Sequence, residues 1–211
     1  MNAETPVRAA PRKNLRSFWM RQFVTWHWIS AAISLAAMLL FAVTGITLNH
    51  AATISAEPKV TQRSGKLPAP LVRRLTGSGA EPLAPVVADA VENAVGLDAR
   101  GRPGEWSDDE VYVALPRPGG DAWVSIDRTT GAIEAEVTDR GWIAWANDLH
   151  KGRNSGAAWF WFIDVFAVAS VVFSVTGLLL LYMHARRRPS TWPIVAAGLV
   201  LPLILAVFFI H

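Results

Sequence analysis

Three stretches of the chain are almost free of charge, and between the first two lies a segment patterned like a soluble domain. Phe23 to Leu48 contains no Asp, Glu, Lys or Arg. About 20 apolar residues suffice to cross the hydrocarbon core, so this run predicts a membrane-spanning helix. It is longer than the apolar part of a signal peptide and is expected to stay as an uncleaved anchor. The second run, Ala157 to Met183, is interrupted only by Asp164. The third, Trp192 to Ile210, contains Pro193 near its start and Pro202, where a kink is expected.

The middle segment changes pattern twice. Residues 51–80 are polar, carry Pro58, Pro68, Pro70, Gly65, Gly77 and Gly79, and read as a linker. Leu83 to Val95 has helical spacing through Val86, Val87, Ala90, Val91 and Ala94. Glu110 to Leu115, Ala122 to Asp127 and Ala132 to Val137 read as strands. Arg117-Pro118-Gly119-Gly120 and Arg128-Thr129-Thr130-Gly131 supply the turns. The expected unit is one helix on a three-stranded antiparallel sheet. About 60 residues without a disulfide make a marginal core, so it is expected to lean on the membrane part or on a partner. The fold class that follows is an all-α membrane bundle of three transmembrane helices with an inserted small α+β extracytoplasmic domain.

Charge adds direction. Hydrophobic residues make up 52% of the chain and charged ones only 18%, against about a quarter in soluble domains. The net charge of +3 is small, and basic residues gather beside the spans, so nothing points to nucleic acid. Arg8, Arg12, Lys13, Arg16 and Arg21 precede the first span, and Arg186, Arg187 and Arg188 separate the second from the third. The positive-inside bias makes both sites cytoplasmic. The expected order is a cytoplasmic N-terminus (1–22), a span (23–50), the outer domain (51–156), a second span (157–184), a cytoplasmic loop (185–190) and a third span (191–211). His211 then lies outside. Trp19, Trp26, Trp28, Trp159, Trp161 and Trp192 fall near the expected interfaces, where indoles prefer to sit.

There is no cysteine, which excludes disulfides, iron–sulfur clusters and covalent c-type haem. The five histidines are His27, His50, His150, His184 and His211. Each lies at an end of a span or just outside it. His27 and His184 fall on the cytoplasmic side, and His50 and His150 on the outer side. Each pair comes from two different segments. Two neutral imidazoles from separate segments, with room between them, are what a b-type haem needs. Zinc or copper would want more ligands. The bland reading of any one of these histidines is a polar side chain at an interface.

Neighbouring positions partly fit a flat ligand. His27, Ala31, Ser34 and Gly45 share a helical stripe, with Met38 also on it. His184, Gly177 and Ser170 share another. Helix–helix packing through small residues would give the same stripes. Phe41-Ala42-Val43-Thr44-Gly45 and Phe173-Ser174-Val175-Thr176-Gly177 repeat one F-x-V-T-G pattern on helices expected to run in opposite directions. His27 and His50 are separated by 23 residues, or ~34 Å of ideal helix. Haems on them would be far apart unless they lie inward, unless Trp161, Phe41, Phe162, Phe166 or Phe173 bridge, or unless a second protomer of a homo-oligomer helps. Asp164 is an ionisable residue inside a span, a candidate for proton relay or tuning. Lys151 and Arg153 could pair with haem propionates or anchor headgroups.

T-W-H-W-I-S with F-A-V-T-G-I-T-L-N-H (Thr25–Ser30, Phe41–His50) resembles the first helix of PepSY-associated transmembrane proteins. D-L-H-K-G-R (Asp148–Arg153) leading into W-F-W-F-I-D, then V-T-G-L-L-L with basic residues after it, is similar to the same family. W-V-S-I-D-R-T-T-G-A-I (Trp123–Ile133) resembles the PepSY strand–turn–strand signature. The resemblance covers about residues 20–190. It implies a bacterial inner-membrane protein with two b haems on His27, His50, His150 and His184. It also implies electron flow outward to a ferric chelate or a periplasmic protein carrying flavin. Having only three spans departs from the larger relatives and leaves the haem number open. The alternatives from other classes are a non-redox anchor whose PepSY-like domain binds a periplasmic partner, and an accessory subunit of metal uptake relaying metal through His50, His150 and His211.

Overall fold

The computed structural model describes residues 15–54 and 57–210. Arg8, Arg12, Lys13 and His211 lie outside the described residues. In chain order the elements are α1 (Leu15–Asn49), β1 (Lys59–Lys66), α2 (Ala69–Val72), α3 (Pro85–Val95), β2 (Glu105–Trp106), β3 (Glu110–Ala114), β4 (Gly120–Asp127), β5 (Ala132–Asp139), α4 (Gly141–His150), α5 (Gly156–His184) and α6 (Thr191–Phe209). The chain divides into two compact units. One runs up to Met38 and resumes at Asp164, and the other is Leu39–Ile163.

Helices α1, α5 and α6 are long and apolar enough to cross a membrane. α1 starts before the apolar run because Leu15 to Gln22 holds no Gly or Pro to stop a helix. α6 continues through Pro202 to Phe209 and buries none of its residues in the protein. A helix apolar all round with no buried residue suits lipid rather than water. Three helices of spanning length and apolar composition make this a membrane protein.

The unit Leu39–Ile163 holds a five-stranded antiparallel sheet in the order β1-β5-β4-β3-β2. Period-two alternation buries Val111 and Val113 of β3, Ala122, Val124 and Ile126 of β4, and Ile133, Ala135 and Val137 of β5. Val87, Ala88, Val91 and Val95 of α3 complete that core. Pro85 opens α3 where its missing N–H costs nothing, and Gly96 closes it at φ +68°.

Two expectations need correction. Residues 59–66, read as linker, form an edge strand paired with β5 from Lys59↔Asp139 to Lys66↔Ala132. Apart from half-buried Gly65, every residue of β1 is exposed. The strand therefore carries no alternation, and the backbone ladder alone places it. The sheet has five strands rather than three, and a further helix, α4, follows it directly.

The β4–β5 turn is closed by Asp127, whose Oδ1 accepts the N–H groups of Thr130 at 2.7 Å and Thr129 at 2.9 Å. Bonding to Thr130, then to Thr129, holds this carboxyl below its ordinary value of 3.8. A depressed folded pKa gives stability that is present above the unfolded value and lost as pH falls through the folded one. Asp127→Asn is therefore expected to flatten the acid loss of sheet stability below about pH 4, as read by thermal melts across pH.

Gly119 fixes α4 to the sheet. Its N–H donates to Asp148 Oδ2 at 2.9 Å and its carbonyl accepts the Arg140 N–H at 2.8 Å. Its φ is +74°, and a Cβ there would lie 2.8 Å from the Trp145 backbone. Gly119→Ala is expected to cost about 1–2 kcal/mol for the left-handed backbone alone. That lowers the Tm of the sheet by several degrees in a calorimetric scan.

Candidate functional site

His27 lies half-buried on α1 and reaches α5. Its Nδ1 is 3.1 Å from both the Phe173 carbonyl and Thr176 Oγ1. Thr176 gives its own hydroxyl hydrogen to the Val172 carbonyl at 2.6 Å, the back-bond typical of a helical threonine. Both neighbours of Nδ1 are therefore acceptors, and Nδ1 must carry the proton. That leaves Nε2 as the bare nitrogen, the form in which imidazole binds a metal. The ring stacks on Phe173 with centroids 4.5 Å apart and planes 17° from parallel. Gly177 gives it room, since a Cβ there would sit 3.2 Å from His27 Cε1.

His150, the last residue of α4, is held the same way by α1. Its Nδ1 lies 2.8 Å from Thr44 Oγ1. Thr44 donates to the Leu40 carbonyl at 2.7 Å, so its oxygen accepts from the imidazole. Phe41 tilts against the ring at 5.0 Å, and a Cβ on Gly45 would lie 3.5 Å from His150 Cε1. The remaining two histidines rely on their own helices. His184 Nδ1 is 2.8 Å from the Leu180 carbonyl, and His50 Nδ1 is 3.0 Å from the Ile46 carbonyl. In all four, the proton is drawn to Nδ1 and Nε2 is left over.

The cavities separate the two expected pairs. His27 and His184 line one cavity of about 740 Å³ together with Phe173, Gly177, Leu181 and Arg188. That is within the usual range for cofactor pockets. His150 lines a different cavity of about 260 Å³ with Phe41, Thr44, Trp145 and Trp159, and His50 is not among its walls. Of the two expected pairs, His27 and His184 share the walls of one cavity, and His50 is not among the walls of the cavity that His150 lines.

A family model of PepSY_TM-like proteins matches residues 18–211. The chain belongs to the PepSY_TM-like family. Searches of curated proteins and of solved structures found no match.

The other candidates of this PepSY_TM-like chain fall as follows. Gly45 and Gly177 each face a histidine from a different helix, and Gly177 also lines the cavity that His184 lines. Ser170 keeps its hydroxyl buried and without a hydrogen-bond partner among the described residues. Asp164 is exposed on α5, and Lys151 and Arg153 are exposed in the turn after α4. Among the described residues no three His, Asp or Glu side chains gather as a metal-relay site would need.

Sequence reasoning missed the residues that hold α4. Buried Asn147 accepts from Thr47 of α1 at 2.7 Å. Trp159 of α5 donates to the Leu149 carbonyl at 2.9 Å, and Asp148 takes the Gly119 N–H. D-L-H-K-G-R is thus the point where α1, the sheet and the start of α5 meet. The two threonines that hold histidines were also missed as site residues, although the F-x-V-T-G repeat was the signal for them.

Proposed function

We propose that this chain is a b-type haem protein that carries electrons across the bacterial inner membrane to an acceptor outside. One observation carries the reading: His27 and His184, from two spanning helices, line one cofactor-sized cavity with both Nδ1 atoms engaged as donors. A b haem held there supplies a reversible one-electron change at iron. The chain's own residues do the rest. His27 and His184 would hold the haem iron through Nε2. Gly177 leaves space beside His27. Leu178 and Leu181 keep that space apolar, and Arg188 offers a cation suited to a propionate. The hydrogen bonds on Nδ1 raise the donor strength of each imidazole.

The outer pair has less support. His150 is held by Thr44 as His27 is by Thr176, but His50 does not line its cavity. A second haem on His150 would take its other ligand from His50 or from a neighbouring protomer. The arginines of α1 and of the α5–α6 loop support a cytoplasmic position for those ends, and with it a periplasmic sheet unit. Trp123 to Ile133 occupy β4, its turn and β5, the place a PepSY signature would take. The sheet then faces the acceptor, a ferric chelate or a flavin-carrying protein.

The test is optical. Protein purified in detergent from haem-replete cells is expected to show a Soret band and, on reduction, a sharp α band, with at least one haem per chain. A colourless preparation from such cells contradicts the proposal.

A further inference from the structure

The repeated F-x-V-T-G segments do the same thing twice. Each presents a threonine whose hydroxyl hydrogen is already committed to its own helix, so its oxygen can only accept. Each aims that oxygen at Nδ1 of a histidine from another helix, 3.1 Å away for Thr176 and His27 and 2.8 Å for Thr44 and His150. The phenylalanine three residues before packs on the imidazole, stacked for His27 and tilted for His150, and the glycine one residue after lies at its Cε1 edge, where a Cβ would crowd His27 at 3.2 Å and just touch His150 at 3.5 Å. α1 takes both parts: it gives His27 to the motif of α5 and uses its own motif on His150.

We infer that these two segments are histidine holders, and that Thr44 and Thr176 are the positioning residues that fix each imidazole as its Nδ1–H tautomer with Nε2 presented for coordination. The inference rests on the haem reading for its purpose, but the tautomer it requires is a property of the protein alone. Helix packing by itself asks for no acceptor at these points, and any small residue would fill the space.

The two holders differ in one respect that makes the inference sharp. His27 Nδ1 has a second acceptor, the Phe173 carbonyl, at 3.1 Å. For His150, Thr44 Oγ1 is the one acceptor among the described residues. Removing the hydroxyl should therefore hurt His150 more than His27. Valine is close to threonine in shape but offers no acceptor, and serine restores one.

Protein labelled with ¹⁵N-histidine and freed of haem, with each signal assigned by single histidine replacement, reports the tautomers by NMR. His150 and His27 are expected as Nδ1–H in the unsubstituted chain. Thr44→Val should shift His150 toward Nε2–H, Thr176→Val should change His27 little, and Thr44→Ser should leave the wild-type spectrum. In haem titrations Thr44→Val should weaken binding through His150 on the order of 10–100-fold, the usual effect of losing a ligand's outer partner. Thr176→Val should weaken binding through His27 only a few-fold. An Nε2–H tautomer for His150 in the unsubstituted chain overturns the inference, as does serine at position 44 behaving like valine. If the tautomers respond as stated but no variant binds haem, the holders stand and the haem reading falls.

Discussion

His27→Ala is expected to remove one haem per chain. The imidazole is half-buried and tied to α5 through Nδ1, so its loss leaves a hole beside Gly177 and takes one of the two histidines from that cavity. His184→Ala should remove the same chromophore, and the double variant should lose no more than either single one. Residues that act as one unit are non-additive in this way. Haem measured as its pyridine complex against protein concentration gives the count. Loss of two haems from the double variant but one from each single variant would place His27 and His184 in different sites.

Ile126→Ala is expected to disable the sheet rather than the cavity. Ile126 is fully buried, and it pairs with Val111 on one side and Ile133 on the other. Truncating such a side chain costs roughly 2–5 kcal/mol. A small domain without cysteine has about 5–15 kcal/mol in total, so much of its margin goes. Limited proteolysis should show cuts within residues 57–139 under conditions where the unsubstituted chain resists. Equal resistance of the two chains would contradict the core described above.

The parts legible in the sequence were those with a one-dimensional signature. Charge-free runs gave the three spans, because a bilayer filters residues by solvation alone. Alternation gave β3, β4 and β5, whose alternate residues are buried. β1 has no buried face and so no signature, and α4 follows β5 with a single residue between them. The histidine partners were hidden for another reason. Thr176 is far from His27 in the chain, and Thr44 far from His150, so nothing local marks either contact. The F-x-V-T-G repeat was visible, but what it grips depends on which helix lies opposite. The expected pairing of His50 with His150 rests on topology, which assigns a membrane face and no distance.

The decisive measurement is the electron paramagnetic resonance spectrum of a variant that keeps only His27 and His184, with His50, His150 and His211 replaced by glutamine. A low-spin ferric signal of bis-imidazole type, from one haem per chain, is the result expected if these two side chains grip one iron. A high-spin signal, or no bound haem in cells supplied with it, would contradict that.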